Sequence, residues 1–192
     1  MLVLIVGPSG AGKDTLLDAV RADLANDEGM RFARREITRP STPGGENHLP
    51  VEIDAFKAKR DAGGYAMWWE AHGCHYGISA SIMADTFGIT VVASVSRAII
   101  AEAATRFELR VIEITAPPAI LAARLSARGR ESVGDIALRL QREVPIPPNV
   151  DVVTIMNDGS IETGAAKLLA DLRRARFSPA VPGVPPAEMA HP

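Results

Sequence analysis

Residues 1–6, Met-Leu-Val-Leu-Ile-Val, form an unbroken apolar run of strand length, the pattern of a strand buried on both faces of a parallel sheet. The spacing then changes to a helical period over 14–26, with Leu16, Leu17, Val20 and Leu24 on one face. Residues 31–38 read as a short polar strand and 51–63 as a helix, while 66–71 and 75–79 are extended. The β-branched run 89–94 predicts a strand, followed by a helix over 97–106 and a strand over 109–115. Pro117 stands where a first-turn proline opens a helix running to residue 128. A helix over 135–143, a last strand over 152–156 and a closing helix over 161–174 complete the alternation. Helices between β runs predict an α/β fold, a parallel sheet with helices on both faces. Beyond residue 177 the chain turns Pro- and Ala-rich, and 178–192 read as a disordered tail.

Composition narrows the class. At 192 residues the chain suits one domain, expected over 1–177. Its net charge of -2 offers no global attraction to nucleic acid or to an anionic membrane. The lone cysteine, Cys74, excludes an internal disulfide framework and fits a reducing compartment. No stretch approaches membrane-spanning length and the opening apolar run lacks a basic flank, so a cytoplasmic protein is expected.

Between the first strand and helix lies Gly7-Pro8-Ser9-Gly10-Ala11-Gly12-Lys13-Asp14-Thr15. This is the phosphate-binding pattern G-x-x-x-x-G-K-[ST] with Asp14 in place of the hydroxyl residue. The glycines let the backbone turn its N–H groups, from Gly10 to Asp14, around a polyphosphate. Lys13 reaches the β- and γ-phosphates, and the helix N-terminus adds its dipole. The expected ligands are therefore a nucleoside triphosphate and Mg²⁺. A carboxylate beside a triphosphate is repulsive unless a cation intervenes. Asp14 then either meets Mg²⁺ or its water shell, or caps the helix while Thr15 faces the metal.

Three further polar clusters stand out. Arg34, Arg35, Thr38 and Arg39, ahead of the loop holding Glu46, Asn47 and His48, read as a second anion site, because guanidinium forks match phosphate oxygens. In residues 68–77 the tryptophans read as core, and His72 and His75 as structural; neither histidine has zinc-ligand spacing with Cys74. Arg124, Arg128, Arg130, Arg139 and Arg142, around a glycine break, suggest a lid at about 126–138 closing over a transferring phosphate. A triphosphate loop, an anionic acceptor site and an arginine lid together make a phosphotransferase, which works by positioning and charge stabilisation.

The order GPSGAGK, ITRP, HGCHYG, RGRE and Asn157-Asp158-Gly159 resembles the guanylate-kinase-like branch of the nucleoside monophosphate kinases, a P-loop NTPase fold. Within it the chain is most similar to the PhnN family of ribose 1,5-bisphosphate phosphokinases, through Gly12-Lys13-Asp14, Ile37-Thr38-Arg39, Glu46-Asn47-His48, Ser96-Arg97-Ala98 and Arg128-Gly129-Arg130-Glu131. That resemblance implies ATP-dependent phosphorylation of ribose 1,5-bisphosphate to 5-phosphoribosyl 1-diphosphate (PRPP), linked to phosphonate metabolism. It implies catalytic roles for Lys13, Arg128 and Arg139, and nucleotide contacts from the loop, Arg124, Asn157 and Asp158. The acceptor-binding segment is about 34–80, with acceptor contacts from Arg35, Thr38, Arg39, Glu46, Asn47, His48, Tyr76 and Arg97. Guanylate kinases carry an acid that reads guanine, and its counterpart here falls at Met67; they also carry acids where this chain has Ser94 and Ser96. The alternatives are a guanylate or other nucleoside monophosphate kinase, a small-molecule kinase of the gluconate or shikimate type, and a non-catalytic interaction module.

Overall fold

The computed structural model of the chain describes residues 1–40, 47–84, 88–127 and 144–177. The expected helix at 135–143, most of the lid and the 178–192 tail lie outside the described residues.

Two sheets divide the described residues. The larger has the order β2-β7-β1-β8-β9, from β1 (Leu2–Val6), β2 (Met30–Phe32), β7 (Thr90–Ser94), β8 (Leu109–Thr115) and β9 (Asp151–Met156). Every pairing in it is parallel. The smaller is mixed, in the order β4-β3-β6-β5, from β3 (Arg35–Ile37), β4 (His48–Pro50), β5 (Tyr65–Ala71) and β6 (Cys74–Ser79).

The central strand β1 is at most 1% exposed, and its side chains alternate between two cores. Val3 and Ile5 pack with α1 (Lys13–Asp23) through Leu16, Leu17 and Val20, with α4 (Pro118–Ala127) through Leu121, and with α5 (Ile161–Phe177) through Leu168 and Leu172. Leu2, Leu4 and Val6 meet Ile100 and Ala103 of α3 (Ile100–Arg106) and the apolar face of the small sheet. That face carries Ile37, Met67, Trp69, Tyr76 and Ile78. Each such buried side chain stabilises by roughly 1.5–3 kcal/mol. Helices therefore do cover both faces of the parallel sheet, and on one face the small sheet shares that role.

Several expected elements are redrawn. The strand expected at 31–38 is two strands in different sheets. The Ala33 N–H still donates to the Val92 carbonyl of the large sheet, 2.8 Å away, while Arg35 already pairs with β4 and Glu36 with β6. Strand β4 was not expected at all: only three residues long, with Leu49 and Pro50 exposed, it has no alternation to read. The helix expected over 97–106 opens as a 3-10 turn at Arg97–Ile99, where the Ser96 hydroxyl accepts from the Ala98 N–H at 3.3 Å. The helix expected over 51–63 is α2 (Ile53–Asp61). His72, with φ 52, and Gly73, with φ 70, form the tight turn joining β5 to β6.

The small sheet is anchored by a buried polar cluster. Glu36 is 9% exposed; it accepts from the Tyr65 hydroxyl at 2.7 Å and from Lys59 Nζ of α2 at 2.6 Å. Burial, then the hydrogen bond to Glu36 and its charge, push the Tyr65 phenol above its ordinary range. Phe56 of α2 stacks on the same ring, with centroids 4.5 Å apart. Tyr65→Phe leaves the buried carboxylate short of one donor and is expected to destabilise the protein by about 1–3 kcal/mol. Denaturant unfolding checks this, and a loss below about 0.5 kcal/mol, the level of an ordinary surface change, would refute the anchoring role.

Candidate active site

In an open parallel sheet, ligands bind beyond the carboxyl ends of the strands. The glycine-rich loop leaves β1 at that edge. Gly7 has φ 143, and a Cβ on it would lie 1.9 Å from the Ile114 carbonyl oxygen of β8. Only glycine lets the loop seat so closely on the neighbouring strand. Gly12, with φ 86, is the N-cap of α1, and a Cβ there would meet Asn157 Nδ2 at 2.6 Å.

The loop is braced from both sides. Asn157, buried just past β9, donates from Nδ2 to the Ala11 carbonyl at 2.8 Å. Its own N–H donates to the Thr115 carbonyl at 2.7 Å. Arg124 of α4 donates to the Gly10 carbonyl at 3.4 Å. Lys13 folds back on the loop, with Nζ 2.7 Å from the Gly7 carbonyl and 3.1 Å from that of Pro8. The N-cap of α1 is Gly12, which has no side chain to offer. The first-turn N–H groups, which no intrahelical bond can satisfy, stand at the loop. This is a cradle for a polyphosphate.

Beside it, Asp14, Arg35, Asn47 and Ser94 line one cleft with Leu17, Asp18, Arg21 and Phe32. Arg35 Nη2 lies 2.5 Å from Asp14 Oδ1, and Nη1 donates to Ser94 Oγ at 3.0 Å. The guanidinium thus ties α1 to the carboxyl end of β7. The Asp14 carboxylate, on the first turn of α1, is engaged by Arg35. Thr15 is exposed on the same first turn.

Other expected site residues turn to other partners. His48 is 3% exposed, with Nε2 3.0 Å from the Arg39 carbonyl. Thr38 Oγ1 accepts from the His75 N–H at 2.9 Å, closing β3 against β6. Tyr76 is buried and stacks on Trp69 with centroids 5.3 Å apart and ring planes nearly parallel. Arg97 pairs with Glu113 of β8, and Thr154 of β9 donates to the same carboxylate at 3.3 Å. Arg39 is half-buried, and Asp158 is exposed. Glu46, Arg128 and Arg139 lie outside the described residues.

Glu113 was missed in the sequence. It interrupts an apolar β8 directly beside Val6, and a carboxylate inside a buried strand was the signal. Ser94, which stands where guanylate kinases carry an acid, is a partner of Arg35, a pairing no local pattern predicts.

No protein-family model matches the chain. The bifunctional ribose 1,5-bisphosphokinase-thymidine phosphorylase of Azorhizobium caulinodans is 45% identical over 175 residues, covering 90% of this chain and 25% of that protein. Ribose 1,5-bisphosphate phosphokinase PhnN of Agrobacterium fabrum is 42% identical over 180 residues, covering 92% of this chain and 98% of the relative. The chain therefore spans about a quarter of the bifunctional relative and nearly all of the single-function one. A guanylate kinase structure from Anaplasma phagocytophilum superposes with a TM-score of 0.64 at 16% identity, over 93% of this chain and 87% of that one. At that identity the likeness is one of fold. A braced phosphate loop on a parallel sheet and a near-full-length match at this identity lead to one assignment: the chain belongs to the PhnN family of ribose 1,5-bisphosphate phosphokinases.

Proposed function

We propose that this chain transfers the γ-phosphoryl group of ATP to the phosphate on C1 of ribose 1,5-bisphosphate, giving PRPP and ADP. The observation that carries the reading is the match to the Agrobacterium fabrum enzyme of that name over 98% of its length. The site's chemistry supports it. Met67, where the resemblance to guanylate kinases puts a guanine-reading acid, is 3% exposed in the apolar face of the small sheet. A thioether cannot accept the donors of a base edge as a carboxylate does. The cleft beside the loop holds two guanidinium groups, an amide and a hydroxyl, groups suited to phosphate and sugar oxygens, beside the carboxylates of Asp14 and Asp18.

An oxygen of the C1 phosphate attacks the γ-phosphorus, forming the new P–O–P link, while the bond from that phosphorus to the β,γ-bridging oxygen breaks and ADP leaves. The acceptor phosphate is already ionised near neutral pH, so no general base is required. Lys13 exchanges its loop carbonyls for the β- and γ-phosphates, and the N–H groups of the loop and of the first turn of α1 hold the chain of phosphates. Mg²⁺ bound with ATP supplies charge neutralisation on the β- and γ-oxygens. Magnesium keeps several waters and takes few protein carboxylates. Thr15, exposed on the first turn of α1, offers the hydroxyl that would hold it, while the Asp14 carboxylate pairs with Arg35. We assign Arg128 and Arg139 to the charge on the transferring group and Arg35, Arg39 and Asn47 to the acceptor. Among the described residues no helix is long and apolar enough to cross a membrane. A cytoplasmic setting suits two highly charged small substrates.

With ribose 1,5-bisphosphate and GMP compared by kcat/KM for ADP release, the sugar bisphosphate is expected to win by about 10²-fold or more, with PRPP identified as product. A preference for GMP would overturn the assignment. Lys13→Ala, which keeps the loop glycines, is expected to lower kcat/KM by about 10²–10³-fold with the circular dichroism spectrum unchanged. Activity within about threefold of the parent would show that the phosphates are held elsewhere.

A further inference from the structure

The odd letter of the phosphate loop has a partner 21 residues further along the chain. A carboxylate beside a triphosphate needs a compensating cation, and the structure supplies one from the protein itself. Arg35 Nη2 is 2.5 Å from Asp14 Oδ1, and Arg35 Nη1 is 3.0 Å from Ser94 Oγ. The Arg35 side chain is 11% exposed and that of Asp14 is 43% exposed. A largely buried guanidinium needs a counter-charge, because an uncompensated charge out of water is costly. Ser94, the neutral residue ending β7, cannot provide it, whereas Asp14 does. The two contacts also hold the guanidinium plane by separate nitrogens, one from the donor loop's helix and one from the large sheet.

The pair spans the junction of the two substrate regions. Asp14 follows Lys13 on α1, which is rooted in the large sheet, and Arg35 opens β3 of the small sheet. Both line the cleft together with Asn47. An arginine placed from the small sheet alone would move with that sheet. Bound to Asp14, it keeps a set position relative to the lysine that holds the transferring phosphate. A Ser or Thr at position 14, as the usual loop pattern has, offers no charge for this purpose.

We propose that Asp14 is a positioning residue for the acceptor: its carboxylate holds Arg35 in the cleft to receive an acceptor phosphate, and its role is not that of a ligand to Mg²⁺. The proposal rests on the functional reading above, in which the acceptor is a sugar bisphosphate. The exchange of a loop hydroxyl for a carboxylate and the presence of Arg35 are then one adaptation. Together they leave the net charge near the triphosphate unchanged while adding a fixed fork for a second anion.

The test uses the full-length protein, D14N, R35K and the double variant, with three readouts. These are calorimetric binding of ribose 1,5-bisphosphate without ATP or metal, steady-state KM and kcat for that acceptor, and the Mg²⁺ concentration for half-maximal rate. For D14N, metal-free acceptor binding is expected to weaken and acceptor KM to rise about tenfold, with kcat and the Mg²⁺ requirement within about twofold. R35K keeps the charge but not the fork, and is expected to weaken acceptor binding similarly. The double variant is expected to be no worse than R35K within about twofold, since both changes act on one contact. A raised Mg²⁺ requirement in D14N with unchanged metal-free acceptor binding would overturn the proposal, as would losses that multiply in the double variant. Should the unaltered protein bind GMP and not ribose 1,5-bisphosphate, the functional reading fails. The same four-protein comparison with GMP then decides the role of Asp14 by the same criteria.

Discussion

The contact between Gly7 and the backbone of β8 is the constraint from which the rest of the site is built. With 1.9 Å between the Ile114 oxygen and the place a Cβ would occupy, the loop must leave β1 bent over the adjacent strand. That bend aims α1 back across the sheet, so that Leu16, Leu17 and Val20 bury on one core while its N-terminus stays at the strand ends. Loop, helix dipole and lysine are therefore not three separate acquisitions. They follow from one close approach of backbone to backbone, which glycine alone permits.

Around that seat the two sheets divide the work. The large sheet, centred on a β1 that is apolar on both faces, serves as the base, its loop held by Asn157 and Arg124 through carbonyl oxygens rather than through the N–H groups a phosphate needs. The small sheet is apolar only where it meets Leu2, Leu4 and Val6. Its other face is ordered by the Glu36–Lys59–Tyr65 cluster beneath α2. The cleft lies where the sheets meet, and Arg35 reaches across it. Fold neighbours such as the guanylate kinase share the base and the loop, but at 16% identity the side chains that select an acceptor are free to differ.

Much of the fold was legible because it is written locally. The loop pattern occupies eight consecutive residues, and the strand and helix on either side of it are each recognisable within one or two turns of chain. The parts that resisted are those in which tertiary pairing overrides local pattern. Residues 31–38 look like one strand, yet they serve two sheets because Ala33 still bonds to Val92 while Arg35 already pairs with β4. Residues 48–50 show no periodicity and become a strand through backbone pairing with β3. His48 and Arg97, put forward as acceptor contacts by the family resemblance, have internal partners in the Arg39 carbonyl and Glu113 that no local pattern announces.

By itself, then, the sequence determined that a phosphate loop sits between a buried strand and an amphipathic helix in an α/β kinase, and that a carboxylate stands in the hydroxyl's place. It did so because glycine freedom, apolar period and the loop lysine act over a few residues at a time. Tertiary structure alone decided what that carboxylate touches. Asp14 meets Arg35, Asn157 meets Ala11 and Arg97 meets Glu113 only after strand order and register are set. A slip of one residue in register would turn each strand side chain to the opposite face. Contacts between residues 16 to 146 positions apart depend on that choice, and no local pattern in the chain carries it.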